Sequence, residues 1–164
     1  MTIEHRLEAL GRRLPKLLRL RDADFLFFPV SNREMNKIKR TLVAREDFRG
    51  KEARKIKKEK MVNVLSFPEP EYFPHPEGKK KMLGEVYLNL DYALVETRGT
   101  EGRGRNQLSY EILGFLLIHG FLHLLGYRHD GKSDTIRMQR LEQKLCRAFK
   151  IPPRHSEPWD RTSS

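Results

Sequence analysis

The chain has 164 residues, enough for one globular domain with its own core. Its hydrophobic residues (38 %) lie in patterned runs, which excludes a disordered chain; no run is long enough to span a bilayer, and a single cysteine, Cys146, excludes an internal disulfide framework and fits a reducing cytosol. The net charge of +11 is clustered as well as large, which favours a polyanion such as nucleic acid over a merely solvated basic surface.

Ile3, Leu7, Leu10, Leu14, Leu17 and Leu18 recur at helical spacing, so the chain should open with a helix that Pro15 kinks or divides. This segment is basic and amphipathic, but Glu4, Glu8 and the lack of serine argue against a transit peptide. Phe25-Leu26-Phe27-Phe28-Pro29-Val30 reads as a strand. Ser31 can cap a following helix, with Glu34 at the capping-box position and Met35, Ile38 and Leu42 on one face. Residues 49–60 form a basic run: Arg49, Lys51, Arg54, Lys55, Lys57, Lys58 and Lys60 against Glu52 and Glu59. It suits an RNA backbone; a solvated loop or helix face is the plain alternative.

Val62-Asn63-Val64-Leu65-Ser66-Phe67 is a short strand stopped by Pro68 and Pro70, and residues 68–80 read as loop. Met82 to Asn89 gives another strand, and Gly99, Gly102 and Gly104 mark a second flexible loop. From Leu108 to Leu125 runs a strongly apolar helix without a clean polar face, so it should be central and buried. Gly126 ends it. After Asp134 a last helix aligns Met138, Leu141, Leu145, Ala148 and Phe149, with Cys146 as a small core or boundary residue and Pro152 and Pro153 as its stop. The expected fold is α+β. A small mixed sheet of these three strands, with or without a fourth, is covered by helices in one domain over residues 1–150, and 151–164 form a disordered tail.

The chemistry concentrates in His119-Gly120-Phe121-Leu122-His123-Leu124-Leu125-Gly126-Tyr127-Arg128-His129. Residues i and i+4 share one helix face, so His119 and His123 can offer two imidazoles to one ion. Gly126 can take the left-handed conformation that ends a helix, and the returning chain can bring His129 as third ligand. Three neutral imidazoles suit zinc, one per chain, and leave a fourth position for water or substrate. Three histidines packed in a core are the alternative, which the spacing and the helix-ending glycine disfavour.

The spacing also matches the H-E-x-x-H-x-x-G-x-x-H pattern of metalloproteases, except that Gly120 stands where the catalytic glutamate belongs. A peptide hydrolase would therefore lack its base unless Glu111 or Glu142 pointed at the metal. Gly120 costs about 1 kcal/mol in a helix relative to alanine, so an approaching phosphate or backbone should want the space.

These eleven residues resemble the H-G-x-L-H-L-x-G-Y-D-H signature of the YbeY family, bacterial endoribonucleases of ribosomal RNA maturation. Asn63-Val64-Leu65-Ser66-Phe67-Pro68 is similar to the family's T-[DN]-V-L-S-F-P strand, Leu83-Gly84-Glu85-Val86 to its L-G-D-I strand, and Met138 with Glu142 to the M-x-x-x-E of its last helix. The similarity covers roughly residues 25–149. It departs at Arg128, where the signature has an aspartate that Asp130 would have to replace, and at Val62, where the family has threonine.

The resemblance implies a zinc-dependent, single-strand-specific endoribonuclease of the cytoplasm. It would act in late ribosome maturation on the 3′ end of 16S rRNA, with RNA and the small ribosomal subunit as partners and no membrane. It also implies a catalytic arginine from a Y-R-x-K segment. Phe48-Arg49-Gly50-Lys51 copies that pattern and favours Arg49, while Arg54 lies closer to the expected distance from Val64. Two other readings stay open: an RNA- or ribosome-binding assembly factor with a structural metal, and a zinc-dependent hydrolase of another substrate.

Overall fold

The computed structural model describes residues 1–70 and 80–154. Helix α1 (Ile3–Leu17) starts at Thr2, whose hydroxyl accepts a bond from the His5 amide, and it buries Leu7, Leu10 and Leu14. Pro15 lies in its last turn, so the helix is neither divided nor broken. Arg19, at φ 59, closes it, and the Leu20 amide returns to the Pro15 carbonyl at 2.9 Å. Strand β1 (Ala23–Val30) follows, then helix α2 (Asn32–Val43), on which the Ser31 and Glu34 capping box is fully formed. The basic run is a helix, α3 (Lys51–Lys58). Ala53 is buried and Ile56 half-buried, while Arg54, Lys55, Lys57 and Lys58 are exposed.

Strands β2 (Val64–Pro68) and β3 (Lys81–Asn89) complete a mixed three-stranded sheet among the described residues, in the order β1-β3-β2. β1 runs parallel to β3 and β2 antiparallel to it. Within the expected loop over residues 68–80, Glu69 still bonds to the Leu83 carbonyl at 2.9 Å; residues 71–79 lie outside the described residues.

Three helices remain among the described residues. The short α4 (Leu90–Glu96), capped by Asn89, is not foreshadowed by the apolar pattern. The long α5 (Gly102–Leu124) begins earlier than the apolar run. Gly102 and Gly104, expected in a flexible loop, form its first turn. Helix α6 (Lys132–Ala148) packs against α5.

Every residue of α5 from Ile112 to Ile118 is buried. The helix lies against β2 and β3 with α1 and α6 alongside, so it is the centre of the main core. Alternation along the strands sends Val86 and Leu88 towards α5 and Leu65 and Tyr87 to the opposite face. There a second core of Met35, Val62 and Leu65, joined by Ile38, Leu42 and Ile56, anchors α2 and α3. Val62, the departure from the family threonine, is thus a buried apolar contact. Cys146 is fully buried.

Past α6, Lys150 takes φ 56 and the Ile151 amide returns to the Cys146 carbonyl at 2.9 Å. Ile151 is only 2 % exposed, so the segment after residue 150 begins as part of the core. Residues 155–164 lie outside the described residues. No helix among the described residues is long and apolar enough to cross a membrane.

Candidate metal centre

The buried run of α5 is interrupted at His119, and one turn later at His123, both half-buried. Gly126, at φ 91, stops the helix as the glycine signal predicts. The Gly126 amide bonds to the His123 carbonyl at 3.0 Å and the Tyr127 amide to the Leu122 carbonyl at 3.1 Å. The chain turns back and delivers His129. Ring centroids stand 4.7 Å apart for His119 and His123, 5.0 Å for His123 and His129, and 5.5 Å for His119 and His129. One nitrogen of each ring lies within 4.8 Å of the other two, and this is the ligand cluster found among the described residues.

The tautomers follow from the partners. His123 Nδ1 stands 2.9 Å from the Tyr127 carbonyl oxygen. A carbonyl only accepts, so Nδ1 carries the proton. His119 Nδ1 stands 2.7 Å from Glu142 Oε2 and donates to that carboxylate. In the neutral rings both protons then lie on Nδ1, and the two Nε2 atoms, 3.1 Å apart, turn their lone pairs towards each other. Two lone pairs this close repel, and a cation between them converts the repulsion into attraction. Nitrogens 2.0–2.1 Å from a tetrahedral zinc lie about 3.3 Å apart, so the donor set fits such an ion. Burial holds the His123 pKa down at about 3, with the neighbouring His119 and His129 rings and Arg128 pushing the same way and the Tyr127 carbonyl opposing. His123 is therefore a neutral, ready ligand at physiological pH.

The cluster opens onto a cleft of about 380 Å³. Its walls bring in Arg45, Phe48 and Arg49 from the α2–α3 connection, Asn63 to Pro68 around β2, and Arg128 beside the histidines. Arg49 thus shares the cleft with all three histidines. Its Nε donates to the Glu46 carbonyl at 2.8 Å, which fixes the base of the guanidinium. Arg54 is exposed on α3 and is not among the cleft-lining residues.

A family model described as Endoribonuclease YbeY matches residues 24–150. The chain belongs to the YbeY family. Curated relatives with that name include one from Nitrobacter hamburgensis, 35 % identical over 57 % of this chain and 48 % of its own length. Two from Anaeromyxobacter are also 35 % identical. One, from Anaeromyxobacter sp., covers 77 % of this chain and 55 % of its own length, and one, from A. dehalogenans, covers 84 % and 66 %. The chain therefore spans about half to two-thirds of the length of these YbeY relatives.

In this YbeY-family site Glu142 and Gly120 have partners that the sequence left open. Glu142, a candidate carboxylate for a peptide hydrolase, instead holds the His119 ring; it is 8 % exposed and reaches across from α6. Asp130, a candidate for the signature's missing carboxylate, is exposed. Gly120 is spoken for by the sheet, not by phosphate: a Cβ there would stand 2.6 Å from Val86 Cγ1 and 3.0 Å from Ser66 Oγ. Ser66 also donates to the Gly120 carbonyl at 2.9 Å, locking α5 onto β2. The position carries glycine because α5 must approach β2 and β3 closely enough to aim its histidines into the cleft.

Outer partners of this kind fix ring orientation and ligand basicity, and their loss typically costs about 10–100-fold in metal affinity. Glu142→Ala should weaken zinc binding by that order in a chelator competition titration. Wild-type affinity in the variant would show that Glu142 does not position His119.

Proposed function

We propose that this protein is a zinc-dependent endoribonuclease that cuts single-stranded RNA during late ribosome maturation. Its substrate in this reading is the 3′ region of 16S rRNA, its setting the cytoplasm, and its partner the small ribosomal subunit. The observation that carries the reading is the three-imidazole cluster, with the Nε2 atoms of His119 and His123 3.1 Å apart, in a cleft that Arg49 also lines. Family membership supplies the substrate class.

His119, His123 and His129 would hold one ion and leave a coordination position towards the cleft. When bound, zinc supplies Lewis-acid polarisation at that position. Glu142 and the Tyr127 carbonyl keep the two helix imidazoles in the tautomer that can ligate. Arg49 offers a planar fork of N–H donors to phosphate oxygens and balances charge growing on them in the transition state. Arg128 adds positive charge at the cluster, where the family signature has an aspartate. A peptide hydrolase finds no support, since position 120 is glycine and Glu142 bonds to His119. A purely structural metal calls for four protein ligands, whereas the cluster among the described residues has three.

The test is turnover of a labelled single-stranded RNA and of an unstructured peptide by zinc-loaded and chelator-treated protein. RNA cleavage that chelation stops and zinc restores, with the peptide intact, is the expected result. Chelator-insensitive RNA cleavage, or cleavage of the peptide, would count against the reading.

A further inference from the structure

Beyond the residues matched by the family model, which end at 150, the chain continues Ile151-Pro152-Pro153-Arg154. Each residue of this segment has a structural part. Lys150 in the left-handed conformation turns the chain sharply out of α6. Ile151 plugs into a socket on α5 that exists because position 114 is glycine: a Cβ there would stand 2.6 Å from Ile151 Cδ1. Two consecutive prolines follow, and their rings fix φ at both positions, which makes a stiff spacer. The spacer delivers Arg154 to the wall of the same cleft that holds the histidines.

There one terminal nitrogen of Arg154 meets Glu96 Oε2 at 3.3 Å. The two side chains keep 27 % and 37 % of their surface exposed, so solvent screens the pair and it holds the guanidinium weakly. Arginine has five N–H donors in a planar fork, and a phosphate can engage two of them at once. The bracket thus presents a charged group, pre-positioned by Ile151 and the prolines, with most of its donor capacity outside the Glu96 contact. Ordering a free chain segment on binding would cost backbone entropy, and here Ile151 anchors the backbone beside Arg154 in advance.

We propose that Arg154 is a second phosphate-contacting arginine of the cleft. It would grip the RNA backbone at a phosphate neighbouring the one at the metal centre, after exchanging Glu96 for that phosphate. The inference rests on the ribonuclease reading and adds a backbone-binding subsite supplied by the segment after α6. Arg154 acts in binding, so its loss should raise KM more than it lowers kcat.

Binding of a fluorescein-labelled, 2′-O-methylated single-stranded RNA, followed by anisotropy over a range of salt concentrations, tests it in the zinc-loaded full chain. Arg154→Ala should weaken binding several-fold. It should also lower the slope of log affinity against log salt by about 0.7, the value for one phosphate contact to a single strand. Arg154→Lys should keep most of the slope. Glu96→Gln frees the guanidinium and should tighten binding, the opposite sign from Arg154→Ala. A contact that merely braces the fold would instead lower the melting temperature in both variants and move RNA binding the same way. That outcome, or an unchanged slope in Arg154→Ala while wild type binds RNA, overturns the subsite and leaves the ribonuclease reading standing. Wild-type protein that fails to bind RNA at low salt overturns both.

Discussion

His123→Ala protein should lose its zinc and with it all RNA turnover, while the fold survives. His123 sits at the meeting point of the cluster, with Nε2 facing His119 and the His129 ring 5.0 Å away. Its removal would leave two of the three imidazoles that could hold an ion. The loss of affinity should exceed the roughly 10–100-fold effect expected when an outer partner is removed. Elemental analysis after zinc supplementation, together with an RNA turnover assay, reads both effects. Stoichiometric zinc in the variant would remove His123 from the ligand set.

The same substitution carries a pH signature in the metal-free protein. The folded pKa of His123 is lowered to about 3, from 6.5 in the unfolded chain. Between these values the unfolded chain binds the proton and the folded one does not, so this group's effect destabilises the fold progressively as pH falls from about 6.5 towards 3. Above that window it exerts no pull. His123→Ala should therefore flatten the acid side of the stability profile, measured as the urea midpoint of metal-free protein against pH. Bound zinc should steepen acid sensitivity in wild type, since protons compete with the ion for the same nitrogens.

Local chemistry made much of this arrangement legible in the sequence. The capping box at Ser31 and Glu34, the His119 and His123 spacing and the helix stop at Gly126 involve residues within one or two turns of each other, and each is found in the structure. What stayed hidden depends on distant contacts. Glu142 reaches His119 across 23 positions of chain; the family motif and its carboxylate marked the residue, but helical spacing cannot name an imidazole as its partner. Gly120 advertised a close approach, but only the sheet topology reveals that Val86 and Ser66 are what approaches. Helix α4 is seven residues long, too short for a hydrophobic period to register. The first turn of α5 contains Gly102 and Gly104, whose low helix propensity is overridden by the long buried helix that follows. Ile151 followed by two prolines reads as a stop signal, yet the isoleucine fills a socket that Gly114 leaves open.

The choice between Arg49 and Arg54 also turns on placement, and it yields the second large expected effect. Arg49→Ala should lower the RNA turnover rate by about 10²–10³-fold, the usual consequence of removing one group that stabilises developing charge. Zinc content should not change, because Arg49 is not one of the three imidazole ligands and its Nε is bonded to the Glu46 carbonyl. Arg54→Ala should change turnover far less: Arg54 is exposed on α3 and absent from the cleft wall. Its loss should show mainly as a small drop in RNA affinity that vanishes at high salt, as expected of a surface cation near a polyanion. Arg49→Lys should recover only part of the rate, since an ammonium keeps the charge but not the planar fork. Single-turnover kinetics on zinc-loaded proteins separate these outcomes from binding defects. A larger rate loss in Arg54→Ala than in Arg49→Ala would transfer the catalytic role to α3, and would require α3 to swing its outer face towards the metal centre when RNA binds.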